Sequence, residues 1–200
     1  RTMKAFTLAL AATLLAAAAS AQEPQPQVLF ESGQYDRTIS ALQPELGAGA
    51  DPFSHYLAVQ AYMRLSQSER AAADLAALTS SEDPAWRLVG QSLQALNGGE
   101  VNGAIATATE ATATNPELFA AHYQLGLAKA RAEDWAGAAE AFERAATLNP
   151  SFAYASYYAG LAYSRIRRAD KTAEFFERFL TMAPNAPERP GVQSIMRTLR

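Results

Sequence analysis

His55 and His122 are the only imidazoles in this chain. A catalytic or metal role would need further ligands, or a nucleophile and an orienting acid, brought to the same point. The two histidines lie far apart in the chain, with no cluster of ligand types around either. Cysteine is absent, which removes thiolate metal sites, iron–sulfur clusters, disulfide frameworks and cysteine nucleophiles together. Acid pairs occur at Glu82-Asp83, Glu133-Asp134 and Glu140 with Glu143. They fall at expected helix starts or outer faces, where carboxylates favour the positive helix ends or stay solvated. Gly98-Gly99 lacks the lysine and hydroxyl residue that complete a phosphate-binding loop. Arg165-Ile166-Arg167-Arg168 with Lys171 is a short basic cluster, too isolated on an acidic chain to indicate nucleic acid. No catalytic residue, metal, cofactor or nucleic-acid partner is expected.

The elements that position these side chains follow from composition and period. The chain has 200 residues, a net charge of −3 and 49% hydrophobic residues, enough to build a core. Arg1 and Lys4 precede an uncharged, alanine-rich stretch from Ala5 to Ala19, followed by Ala19-Ser20-Ala21. A basic start, a short apolar centre and a small-x-small site describe a secretory signal peptide over 1–21. The stretch is shorter than the roughly 20 residues that span a bilayer, so no transmembrane segment is expected after cleavage; an uncleaved anchor is the rival reading. The alanine-rich signal resembles those of bacteria, which points to export into a Gram-negative periplasm. A Pro/Gln-rich linker, 22–27, follows. Residues 22–150 carry 7 basic and 16 acidic groups, and 151–200 carry 8 and 4. An acidic front and a basic tail could drive end-to-end self-association.

Internal periodicity decides the fold. Pro116, Pro150 and Pro184 are evenly spaced, and Gly126 and Gly160, Tyr123 and Tyr157, and Phe142 and Phe176 keep the same interval. Each period reads as two amphipathic helices. Over 119–152, Phe119, His122, Tyr123, Leu125, Gly126 and Ala130 mark the first helix. Asp134 is placed to cap the second, on which Trp135, Ala138, Phe142, Ala145 and Leu148 recur at helical spacing. Small residues at Gly126, Ala138 and Ala145 allow close helix crossings.

These residues resemble the tetratricopeptide repeat, whose unit is about 34 residues long. The likeness is strongest over 119–152, with Leu125, Gly126, Trp135, Ala138, Phe142, Ala145 and Pro150 in the family's positions. The resemblance implies an all-α fold: an α-solenoid of stacked helix-turn-helix repeats in a right-handed superhelix. The repeats are 52–84, 85–118, 119–152 and 153–186, after a degenerate half repeat over 28–50. The last stretch, 187–200, carries Val192, Ile195, Met196 and Leu199 on one stripe and is expected as a capping helix.

In this family the first helix of each repeat lines a concave groove. Carrying the register across places Phe53, Trp86 and Tyr154 in one column and Tyr56, Tyr123 and Tyr157 in the next. Leu93, Leu127 and Leu161 form a third, and Arg64, Arg131 and Arg165 the last; each step, to i+3 or i+4, stays on one helix face. The resemblance implies a non-enzymatic adaptor or scaffold that binds a protein or peptide there, in envelope assembly, secretion or polysaccharide export. An apolar segment bearing carboxylates suits that lining. The alternative is a structural, self-assembling protein whose groove is filled by its own chain or by a second copy as a homo-oligomer.

Overall fold

The computed structural model describes residues 24–47 and 49–199; the expected signal peptide, 1–21, lies outside them. Among the described residues there are eleven α-helices and no strand. They pair as α1 (Pro26–Glu31) with α2 (Tyr35–Leu42), α3 (Pro52–Arg64) with α4 (Ala72–Thr79), and α5 (Pro84–Asn97) with α6 (Val101–Thr114). The pairs α7 (Phe119–Arg131) with α8 (Trp135–Leu148) and α9 (Ala153–Arg165) with α10 (Ala169–Met182) follow, then the single α11 (Arg189–Thr198). Each pair packs on the next, giving an all-α solenoid of stacked helix hairpins.

The turn inside each pair is built the same way throughout. Gly33, Ser66, Gly99, Glu133 and Arg167 all have positive φ, and they recur at the repeat interval. The residue after each donates its N–H to a carbonyl five positions back, as Gln34 does to Leu29 and Asp134 to Lys129. This is the left-handed turn that ends a helix while satisfying its last carbonyls. The front pair therefore belongs to the same series. Helix α1 begins at Pro26, so Pro26 and Gln27, expected in the linker, are helical, and the unit expected over 28–50 is a short helix pair. Proline suits that first helical position because its missing N–H would have had no partner there.

Helix starts follow local chemistry as well. Asp51 and Asp83, each followed by proline, accept N–H bonds from Phe53 at 3.2 Å and from Ala85 at 2.8 Å. Asp134 accepts from Gly137 N at 3.0 Å and so caps α8. The crossings inside the last two helix pairs need a missing side chain. A Cβ on Gly126 would stand 2.7 Å from the Phe142 ring, and one on Gly160 would stand 2.5 Å from Phe176. In the repeat where Ser92 takes this place, its buried hydroxyl donates to the Ala104 carbonyl at 2.8 Å, so the close approach survives without an unsatisfied group. At the far end α11 lies against α10 and buries Val192 among Phe176, Phe179, Ala183 and Ala186.

An open solenoid has contacts only between neighbouring repeats. This one coils more tightly. The Phe53 ring, on α3, meets Phe119 at the start of α7 at 5.5 Å and Phe152 just ahead of α9 at 6.3 Å. Phe30, on α1, meets Tyr154 on α9 at 5.3 Å. One apolar core consequently runs from Phe30 to Phe175 along the inner side of the coil.

Candidate functional site

The first helices α3, α5, α7 and α9 turn their expected columns toward one another, and the columns end up in different surroundings. At the N-terminal ends of these helices the aromatic column has become core. Tyr154 is fully buried, Trp86 is buried, and Phe53 is half-buried against Trp86, Phe119 and Phe152. The tyrosine column behaves likewise: Tyr56 and Tyr123 are buried, and Tyr123 packs edge-on to Phe142 at 5.6 Å and Phe152 at 5.1 Å. Tyr157 is half-buried against Phe179. Burial is the first cause holding the Tyr123 hydroxyl protonated well above its ordinary range, and it pushes Tyr157 up to about 12.

Toward the C-terminal ends the lining stays reachable. Leu127 and Leu161 are half-buried and Leu93 is buried at the base. Arg131 is exposed and makes no ion pair among the described residues. Gln60, Met63, Leu93, Leu96, Asn97, Leu127, Ala130 and Arg131 together enclose a cleft of about 450 Å³ between α3, α5 and α7. Gln60 contributes to that lining, while its amide nitrogen is sealed inside the protein. An unpaired guanidinium among apolar side chains suits a segment that brings a carboxylate between apolar groups.

Two arginines of the last column are already engaged. Arg165, exposed, stacks over the Trp135 ring at 5.2 Å. Arg64 donates to the Tyr158 hydroxyl at 2.8 Å and faces the Glu188 carboxylate at 3.4 Å. Tyr158 and Glu188 lie outside the groove columns that the register supplies. The period could not reveal them, because it reports position along a repeat and not what stands opposite after coiling.

The residues with catalytic potential are dispersed. His55 Nδ1 pairs with Asp74 at 2.8 Å, while His122 Nε2 donates to the Pro116 carbonyl at 2.9 Å. Among the described residues no three histidines or acids converge as a metal site would require. In the basic cluster, Arg168 is bridged to Asp170 at 2.8 Å and Lys171 to Glu143 at 2.9 Å. No described helix is long and apolar enough to cross a membrane.

Known proteins give the same picture of the fold. The tetratricopeptide repeat family pattern matches residues 89–148 and again 123–187. The thermophilic repeat protein TTC0263 of Thermus thermophilus is similar over 87% of this chain and 94% of its own, at 18% identity and a TM-score of 0.57. The first repeat domain of Spaghetti (RPAP3), solved with the HSP90 peptide SRMEEVD, is similar over 60% of this chain and 92% of its own, at 21% identity and a TM-score of 0.54. YrrB, described as having an unusual peptide-binding site, is similar over 84% of this chain and 88% of its own, at 17% identity and a TM-score of 0.52. No protein of curated function matches the sequence.

Proposed function

We propose, for a chain whose residues 89–187 are tetratricopeptide repeats, that it is a non-enzymatic interaction module binding an acidic, partly apolar segment of another protein. The binding place is the open lower cleft between α3, α5 and α7. One observation carries this reading: Arg131 lines that cleft with no ion pair among the described residues, beside the apolar Leu127 and Leu96. A similar solved repeat domain holds the acid-rich peptide SRMEEVD, which supports the class of ligand. The signal-like residues 1–21 support export to a bacterial periplasm, and with it service in envelope assembly, secretion or polysaccharide export.

The test uses a photo-crosslinker placed at Asn97 in the exported protein, with Arg131→Glu as the control. Arg131 is exposed, so reversing its charge leaves the fold intact. A crosslinked partner that is lost on charge reversal supports the site. Crosslinks unaffected by the reversal remove it. The reading that the protein fills its own groove also has an observation behind it, the aromatic core on the inner face, and the two readings divide the groove lengthwise between them.

A further inference from the structure

Arg64 stands one helical turn beyond Gln60, which lines the open cleft, and turns its guanidinium toward α9. Its surroundings are a built socket. The guanidinium lies 4.9 Å over the Tyr154 ring and donates to the Tyr158 hydroxyl at 2.8 Å. The Tyr154 hydroxyl lies 3.0 Å from each oxygen of the Glu188 carboxylate and 3.4 Å from the Tyr35 hydroxyl. Burial, then the Tyr35 hydroxyl and the Glu188 charge, keep Tyr154 protonated, so it is a steady donor. Helices α3 and α9 thus converge donors on one carboxylate, and Tyr35 of α2 stands behind them against the Tyr154 hydroxyl.

That carboxylate comes from no repeat. Glu188 sits between α10 and α11, in a stretch punctuated by Pro184, Pro187 and Pro190. The stretch touches the front of the chain where Pro187 meets Gly33. Beyond it, α11 buries Val192 and packs the half-buried Ile195 and Met196 on the same cluster, while Leu199 just past its end is exposed. An acid on the segment that joins the last repeat to its cap, seated in a cationic and hydroxyl-lined socket, is arranged as a ligand is and not as a core residue is.

We propose that the Arg64–Tyr154–Tyr158 socket is a carboxylate-recognition site and that Glu188 is its resident internal ligand, which an acidic side chain of the partner segment replaces as the 184–198 tail swings out. This rests on the lower cleft being the binding place, since a segment lying there reaches Arg64 next. The incoming carboxylate meets the same donors that Glu188 leaves, so no buried charge is stranded during the exchange. A short tether gives Glu188 an effective concentration on the order of millimolar. A partner therefore needs contacts in the lower cleft as well as its acid, and the tail acts as a specificity gate.

The test removes the resident acid from the full chain with Glu188→Ala and adds the tetrapeptide acetyl-Asn-Ala-Pro-Glu-amide, monitored by the tyrosine ring signals in NMR. The expected result is saturable binding to Glu188→Ala about tenfold tighter than to the unaltered protein, and about tenfold weaker binding of the same peptide with glutamine as its last residue. The isosteric Glu188→Gln serves as a second host that keeps the tail's shape should the alanine variant lose its fold. Equal response of unaltered and substituted proteins, or indifference to the Glu–Gln change in the peptide, overturns the proposal. Loss of partner capture in Arg131→Glu bears only on the lower cleft, because the tetrapeptide does not contact Arg131, so the two failures are separable.

Discussion

Glu31 offers the sharpest check on how the front of the chain is held. Its side chain is 6% exposed, and its Oε1 accepts the Ala153 N–H at 2.8 Å and the Gln27 amide at 3.1 Å. Ala153 opens α9, so Glu31 supplies an acceptor to an N–H that has no partner inside its own helix. Two effects oppose each other there. The helix start favours a carboxylate by about 0.3–1 kcal/mol, but burial is the larger and pushes the Glu31 carboxyl from 4.5 up to about 7. An acid whose pKa is higher when docked holds more protons in the docked state. Docking of α1 is therefore strongest below about pH 4.5 and weakens as pH rises through about 7. The full cost of ionisation is about 3 kcal/mol. Against it stand Leu29 and Phe30, each buried at 1% exposure, contributing about 1.5–3 kcal/mol apiece. Helix α1 is thus firmly docked in mild acid and close to release above neutrality. Hydrogen exchange at Ala153, Leu29 and Phe30, corrected for intrinsic rates and referred to Glu31→Gln, reads this directly. Between pH 5 and pH 8 protection should fall by about a hundredfold in the unaltered chain and stay level in the variant. A ratio between the two proteins that does not move with pH refutes the placement of a buried acid at this joint.

The tyrosine column gives a prediction of the opposite kind. Tyr123→Ala deletes a ring packed on Phe142, Phe152 and Tyr158 and should destabilise the protein by about 3–5 kcal/mol in urea unfolding. Any partner captured by the lower cleft would then be lost through unfolding, so this substitution reports on the core. At the hairpin crossings, Gly126→Ala should also destabilise, although alanine is the better helix former by about 1 kcal/mol. Its Cβ would press on the Phe142 ring, which thermal unfolding would register as a lowered Tm, and a raised Tm would show that the ring can move aside.

Much of the fold was legible because each repeat solves its packing locally. Gly126 beneath Phe142 and Gly160 beneath Phe176 need the same interval, since each pair of helices crosses at the same place. Asp134 announced its cap for reasons contained within a few residues, while the evenly spaced Pro116 and Pro150 stand in the turns just ahead of α7 and α9. The groove was harder. The columns Phe53, Trp86 and Tyr154 were visible as unusually bulky, but spacing along a helix carries no information about the helix facing it across the coil. Whether those rings line a trough or meet each other depends on pitch, which is set by contacts such as Phe53 with Phe152 between repeats that are not neighbours. Glu31 and Glu188 escaped notice for a related reason: both act from outside the well-formed repeats, where no period calls attention to them.

The lengthwise division of the groove follows from what can be desolvated. At the N-terminal ends of the first helices the inner residues are aromatic, so coiling buries apolar surface and the repeats draw together. At the C-terminal ends they are Arg64, Asn97, Arg131 and Arg165, and a guanidinium cannot follow the rings into the core without a compensating charge. Each arginine marks how far closure could proceed. Arg64 is drawn in because Glu188 reaches it, and Arg165 stays at the surface on Trp135. Arg131, with no ion pair among the described residues, keeps its end of the groove in water. The open cleft thus keeps at its rim a guanidinium with no ion pair among the described residues. A partner carboxylate at Arg131 would extend to a third repeat the kind of contact that Glu188 already makes at the first.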